Sequence, residues 1–319
     1  RVISSKYFIE NDCVSCGWGH PALANPKVND LKSYKRAWIE MYGDTKKWNR
    51  QGVHHLFETV KKGDFLWTRM NGVYFVAEVK DNPETLFHVD RSQEALEHDA
   101  VVQLKNIQWK ECGTEETVPG SISTFSSNRN SIVRVDNREG EQNGYTPSSL
   151  FSKGVLYPGS LQRIKDRSMI LQFIGPAGFE DIIALWLYDK YNYVVIPSTN
   201  KKSTQTYEYV LFDGTKTSNG YASAKRIYLQ AKNGANDLHL EDYTMLLNDS
   251  DEIWLVTSYG KIYDHDGSLE TNNMMRYVIT TSGYDKTGFA IDVLIDFIFD
   301  ESKQAMLPYS ILNWISMFE

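Results

Sequence analysis

The chain has 319 residues, 41% hydrophobic and 13% aromatic, which suits two packed domains and excludes a disordered or fibrous chain. Its net charge of −7 argues against a protein that coats nucleic acid indiscriminately. No apolar run reaches the roughly 18 residues that span a bilayer, and residues 1–20 carry Glu10 and Asp12 rather than the apolar core of a signal peptide.

The first region opens with an apolar, strand-like run at 7–19, broken by Gly17 and Gly19. In it, Cys13 and Cys16 form a single C-x-x-C pair. With His20 and the distant Cys112 this falls short of the two paired knuckles of a structural zinc site. Three cysteines make no disulfide framework either, so a reduced, cytoplasmic protein is expected. Next comes a basic stretch in which Leu31, Tyr34, Ala37, Trp38 and Met41 recur at helical spacing, as do Val53, Leu56, Phe57 and Val60. Strands are expected at 64–70 and 73–80, joined by Asn71-Gly72, a strong hairpin signal. Further strands are expected at 100–110 and 131–136. Residues 1–140 thus read as a strand-rich α+β domain. Residues 137–160 are rich in Gly, Ser, Pro and Asn, and a linker is placed at 141–165.

The rhythm changes in 166–319. Phe179, Ile182, Ile183, Trp186 and Leu187 make one apolar stripe of a helix opening after Gly178, with Glu180 in its first turn. Strands are expected at 193–199, 206–213 and 227–234. A short helix at 240–247, strands at 252–258 and 275–282, and a terminal helix near 289–300 complete the order. The whole implies an α/β chain whose second domain is a mixed sheet flanked by helices.

Charge is unevenly spread. Residues 27–69 hold ten Lys/Arg against five Asp/Glu, whereas 151–319 hold 15 against 21. A basic first half and an acidic second half fit a division between holding a polyanion and binding a metal, and they also fit ordinary solvated faces.

One constellation in the second half carries chemistry. Phosphodiester cleavage needs a divalent cation on hard oxygen ligands and a cationic group near the developing charge. Glu180 on the helix, Glu208 on the second strand, and Gln230 and Lys232 on one face of the third supply those types in order. Taken singly, Glu180 also suits a first-turn acid facing the helix dipole, and Gln230 with Lys232 suits a solvated strand face.

The runs IGPAGFEDIIALWL, YNYVVIP, YEYVLFD and IYLQAKNG together resemble the PD-(D/E)xK nuclease superfamily, and are most similar to its Mrr-like restriction endonucleases. The resemblance implies a restriction-endonuclease-like fold over 166–319 and Mg²⁺-dependent hydrolysis of double-stranded DNA, with Mn²⁺ able to substitute. It implies that Glu208, Gln230 and Glu180 hold the metal and that Lys232 stands near the attacking water. The usual second-strand acid is aspartate. Glu208 takes its place here, with Asp213 on the opposite face by parity as the other candidate. Cutting both strands would call for two copies of such a site, hence a homodimer.

In the first half, KKGDFLWTRMNGVYFVAEV, VVQLKNIQWKE, VPGSI and SIVRV resemble the PUA-like or EVE-like modules that precede nuclease domains in modification-dependent restriction proteins. Those modules hold a flipped, modified base between aromatic walls. The resemblance implies Trp18, Trp67 and Tyr74 as walls, with Trp38, Trp48 and Trp109 in reserve, and Arg69 on phosphate. The combined expectation is a modification-sensing endonuclease of a restriction or antiviral defence system. The alternative is a catalytically degenerate, nucleic-acid-binding subunit of a defence complex, and RNA is the other substrate such folds meet.

Overall fold

The computed structural model describes residues 4–123, 132–135, 146–159, 163–199, 206–221, 225–244 and 247–319. The chain divides into two units, Arg1–Gln162 and Arg163–Glu319.

The first unit contains strands β1 (Cys13–Val14), β2 (Phe65–Met70), β3 (Val73–Glu78), β4 (Phe87–Val89), β5 (Val102–Lys105) and β6 (Lys110–Gly113). They form two antiparallel three-stranded sheets, β1-β5-β4 and β2-β3-β6. Asn71 (φ 51°) and Gly72 (φ 84°) both take left-handed backbone, the requirement of a tight hairpin turn, between β2 and β3. The single strand expected at 100–110 is two, because Asn106 turns the chain at φ 61°. Residues 132–135 are irregular rather than part of a strand, and positions 131 and 136 lie outside the described residues.

The basic stretch forms the helix Leu31–Tyr42. The Asp30 carboxylate caps it, accepting from Ser33 N at 2.7 Å, and Gly43 in left-handed backbone ends it. Tyr34, Ala37 and Trp38 are buried, while Met41, in the last turn, stays exposed. Val53, Leu56 and Phe57 are also buried, but the helix Gly52–His54 runs into a π-helical turn, His55–Thr59. Within the stretch read as a linker lies the helix Pro147–Leu156. Thr146 caps it and Pro147 fills its first position, start signals that the loop-like composition hid.

The second unit contains β7 (Tyr193–Val195), β8 (Tyr209–Asp213), β9 (Lys216–Thr217), β10 (Gly220–Tyr221), β11 (Arg226–Lys232), β12 (Leu238–His239), β13 (Glu252–Thr257), β14 (Ile262–Tyr263), β15 (Met274–Thr280) and β16 (Gly283–Phe289). Six of them make a mixed sheet in the order β16-β15-β13-β11-β8-β7, with β11 and β13 parallel and every other neighbour antiparallel. One face carries Leu229 beside Trp254, and the helix Gly175–Tyr191 packs there, Trp186 edge-on to Trp254 at 5.7 Å. On the other face Ile253, Leu255 and Tyr277 pack against Leu238, Leu240 and Ile262.

This long helix starts earlier than the apolar stripe suggests, at Gly175, with Pro176 in its first positions. Gly178 is therefore internal: a Cβ there would lie 3.0 Å from the Ile174 Cβ. The preceding segment, Arg167–Phe173, meets the long helix at a bend of 119°, and Gly175 (φ 67°) supplies the left-handed backbone at the corner. β16 and the last helix, Tyr309–Ile315, were not legible as elements. β16 is an edge strand whose side chains are mostly exposed, so it shows no apolar alternation. The helix expected near 289–300 is Asp292–Phe299. No single helix among the described residues is long and apolar enough to cross a membrane.

Candidate functional site

β11 places Tyr228, Gln230 and Lys232 on the sheet face opposite the long helix. Glu208 sits one residue before β8 rather than within it, yet its N–H still donates to Leu229 O at 2.8 Å, so its position beside β11 is fixed. Lys232 Nζ donates to Glu208 Oε1 at 2.7 Å, with both side chains partly exposed. Gln230 is buried. With its amide oriented so that both ends are satisfied, Nε2 donates to Thr206 O at 2.8 Å and Oε1 accepts from Lys232 Nζ at 3.1 Å. The ammonium thus bridges a carboxylate and an amide oxygen.

Glu180 belongs to the long helix, in its second turn, beyond the stretch where the helix dipole acts strongly on a side chain. Burial pushes its pKa up to about 7, the Glu208 charge pushes the same way, and Lys232 opposes. The two strand-borne charges therefore act on the helix-borne acid. Among the described residues Glu180 forms no hydrogen bond or ion pair. Asp213, the other candidate acid, lies at the far end of β8 and accepts from Thr215 N at 3.0 Å, closing a turn.

Four residues that sequence reasoning passed over hold this arrangement. Tyr209 OH donates to Asp181 Oδ1 at 3.2 Å, tying the helix to β8 one residue away from both Glu180 and Glu208. Burial raises the pKa of Asp181, and the Tyr209 hydrogen bond opposes the rise. Directly after Lys232, Asn233 Nδ2 donates to Leu171 O (2.7 Å) and Gly175 O (3.0 Å), which pins the strand end to the 119° corner. Ser258 Oγ donates to Asn233 Oδ1 at 2.8 Å and so holds the amide. For Tyr209, Asp181 and Asn233 the signal was adjacency to a chosen residue, and Ser258 had none.

Two carboxylates and an amide oxygen are hard ligands of the kind Mg²⁺ takes with waters and phosphate oxygens, and an unpartnered acid with a raised pKa gains most from a nearby cation. The donor set fits. Among the described residues no three His, Cys, Asp or Glu gather closely enough to hold a metal by themselves. Cys13 and Cys16 are buried in separate apolar clusters, and burial pushes each thiol up to about 12.

In the first unit, Trp67, Tyr74 and Arg69 come together and Trp18 does not join them. Arg69 faces Tyr74 across the hairpin, its guanidinium 5.3 Å over the ring, and pairs with Glu115 at 3.7 Å. Tyr74 is only 3% exposed, and its hydroxyl has no hydrogen-bond partner among the described residues. Trp67 stacks on Phe151 at 5.9 Å, so one of its faces is already covered. Trp18 belongs to a different cluster, against Trp38 (6.0 Å) and Tyr42 (5.5 Å). Of the reserves, Trp38 and Trp48 are core, while Trp109 borders an open hollow of about 290 Å³ with Glu78, Lys80, Lys110 and Tyr157.

Compared with known protein families, curated proteins and solved structures, the chain finds no match in any of the three.

Proposed function

We propose that the chain is a metal-dependent DNA endonuclease of a restriction or phage-defence system, a modification-sensing hydrolase with a PD-(D/E)xK-type second unit and a PUA-like first unit. The observation that carries this reading is the Glu208–Lys232–Gln230 bridge, with Glu180 under the influence of both charges.

A bound Mg²⁺ would supply Lewis-acid polarisation of the scissile phosphate and a more acidic water. The side chains do the rest. Glu208, Gln230 and Glu180 would hold the cation. Lys232 would then turn its ammonium from those oxygens toward the phosphate, where it stabilises charge that grows during bond breaking. In the first unit, Arg69 would contact phosphate and the Trp67–Tyr74 group would receive an extruded base, the cost of extrusion being a few kcal/mol.

The test is a cleavage panel on plain, methylated, hydroxymethylated and glucosylated duplexes with Mg²⁺ or Mn²⁺. Cutting of at least one duplex is expected, and Lys232→Ala should lower it by about 10²-fold or more. Binding without cutting would move the assignment to a degenerate DNA-binding subunit. Unchanged cleavage by Lys232→Ala would remove the proposed site.

A further inference from the structure

Residues 27–69 hold ten Lys/Arg against five Asp/Glu. Asp30 and Asp44 cap helices and Asp64 accepts from Lys61 N, all keeping their charge, while Glu58 pairs with Lys35. On the basic side, Lys35, Lys61, Lys62 and Arg69 have partners. The side chains of Lys27, Lys32, Arg36, Lys46, Lys47 and Arg50 are exposed and make no hydrogen bond or ion pair among the described residues. Six of the ten cations are thus exposed and without a side-chain partner among the described residues.

Lys32 and Arg36 lie on the helix Leu31–Tyr42 and Lys46 and Lys47 on the helix Thr45–Trp48, with Arg50 two residues beyond it and Lys27 ahead of the first helix. The helices Leu31–Tyr42 and Thr45–Trp48 share a core in which Trp48 meets Tyr34 (6.0 Å) and Trp38 (5.4 Å); Lys35 lies over the Trp48 ring at 5.6 Å, whereas Lys32, Arg36, Lys46 and Lys47 are exposed away from it. Lys32 and Arg36, four apart, line the same side of the first helix. That helix is about 18 Å long, roughly five base-pair steps of a duplex. Met41 is the one large apolar side chain of this stretch that is exposed among the described residues, which leaves little to insert into a bilayer.

We infer that the stretch carrying Lys32, Arg36, Lys46, Lys47 and Arg50 is the surface on which the first unit tracks the phosphate backbone of duplex DNA. The inference rests on the DNA-directed reading above and adds the face to it. This face is separate from the Trp67–Tyr74 group, so affinity and base selection are divided between two places.

The experiment measures equilibrium binding of the full chain to a plain duplex across a salt series. It compares Arg36→Glu/Lys47→Glu with Lys6→Glu/Lys80→Glu, which changes net charge equally elsewhere on the unit. The first pair should weaken binding at low salt about tenfold or more and reduce the log–log salt slope by about 2, whereas the control keeps the wild-type slope. A wild type that binds while the first pair binds equally well with the same slope overturns the inference and leaves the nuclease reading intact. A wild type that binds RNA or nothing, and no DNA duplex, overturns both.

Discussion

Glu252 and Glu180 both belong to the second unit, and the protein surrounds them differently. Glu252, at the start of β13, is fully buried and accepts from Trp254 Nε1 (2.6 Å), Arg276 Nη2 (2.7 Å), Tyr193 OH (3.1 Å) and Lys225 Nζ (3.2 Å). Burial works against its charge, but the Arg276 hydrogen bond and the two cations outweigh it, and its pKa is lowered. Glu180 is half-buried with no such partner among the described residues, and its pKa is raised. A carboxylate supplied with all its donors is finished as structure. One left short of them is where an external cation has something to gain.

The largest effect that could break this contrast concerns Glu252. Glu252→Gln leaves Arg276 and Lys225 uncompensated in a buried place, and should cost about 3–5 kcal/mol in urea denaturation of the full chain. A loss under about 1 kcal/mol would mean the network is not holding the sheet.

For Glu180 the sign is opposite. Its folded pKa of about 7 lies above the ordinary 4.5, so it costs nothing below 4.5 and destabilises increasingly as pH rises through 7. Glu180→Gln should therefore match the wild type at pH 4 and exceed it at pH 8, by about 1 kcal/mol once solvent screening of a half-exposed group is allowed for. Millimolar Mg²⁺ at pH 8 should close that gap by stabilising the wild type alone. Glu252 runs the other way, its contribution being present above 4.5 and lost as pH falls through its lowered value. Parallel pH profiles for the two variants would erase the distinction between them.

The smallest effect belongs to the tie between helix and strand. Tyr209→Phe removes one donor to Asp181 and should cost about 0.5–1.5 kcal/mol, with a larger fractional loss of cleavage than of stability. Unchanged cleavage would show that the tie does not position the site.

The mixed α/β character was legible because the stripe from Phe179 to Leu187 buries one side of a helix and the apolar runs around Leu229 and Trp254 are short enough for strands, the latter buried on both faces. β16 was not, since an exposed edge strand has no reason to alternate. Within the site, strand parity gave Gln230 and Lys232 a common face, but nothing local told that Glu208 would share it from just before β8 or that Asn233 would reach the helix corner. Trp18 shows the limit of aromatic content as a guide: its chain position relative to Trp67 says nothing about which cluster takes it.

The parallel pairing of β11 with β13 has a kinetic consequence. Antiparallel neighbours such as β15 and β16 can close through a tight turn, but parallel ones need the chain to cross the sheet, here through residues 233–251. Such pairing joins residues distant in sequence and forms slowly. Glu208, Gln230 and Lys232 sit on the antiparallel β8–β11 pair, which can form first, but the face on which the long helix docks includes Trp254 of β13, so Glu180 is placed only when the parallel pairing has closed. Folding of this unit should thus deliver Glu180 last, and a fragment ending before β13 should carry all four residues with the helix-borne acid out of place.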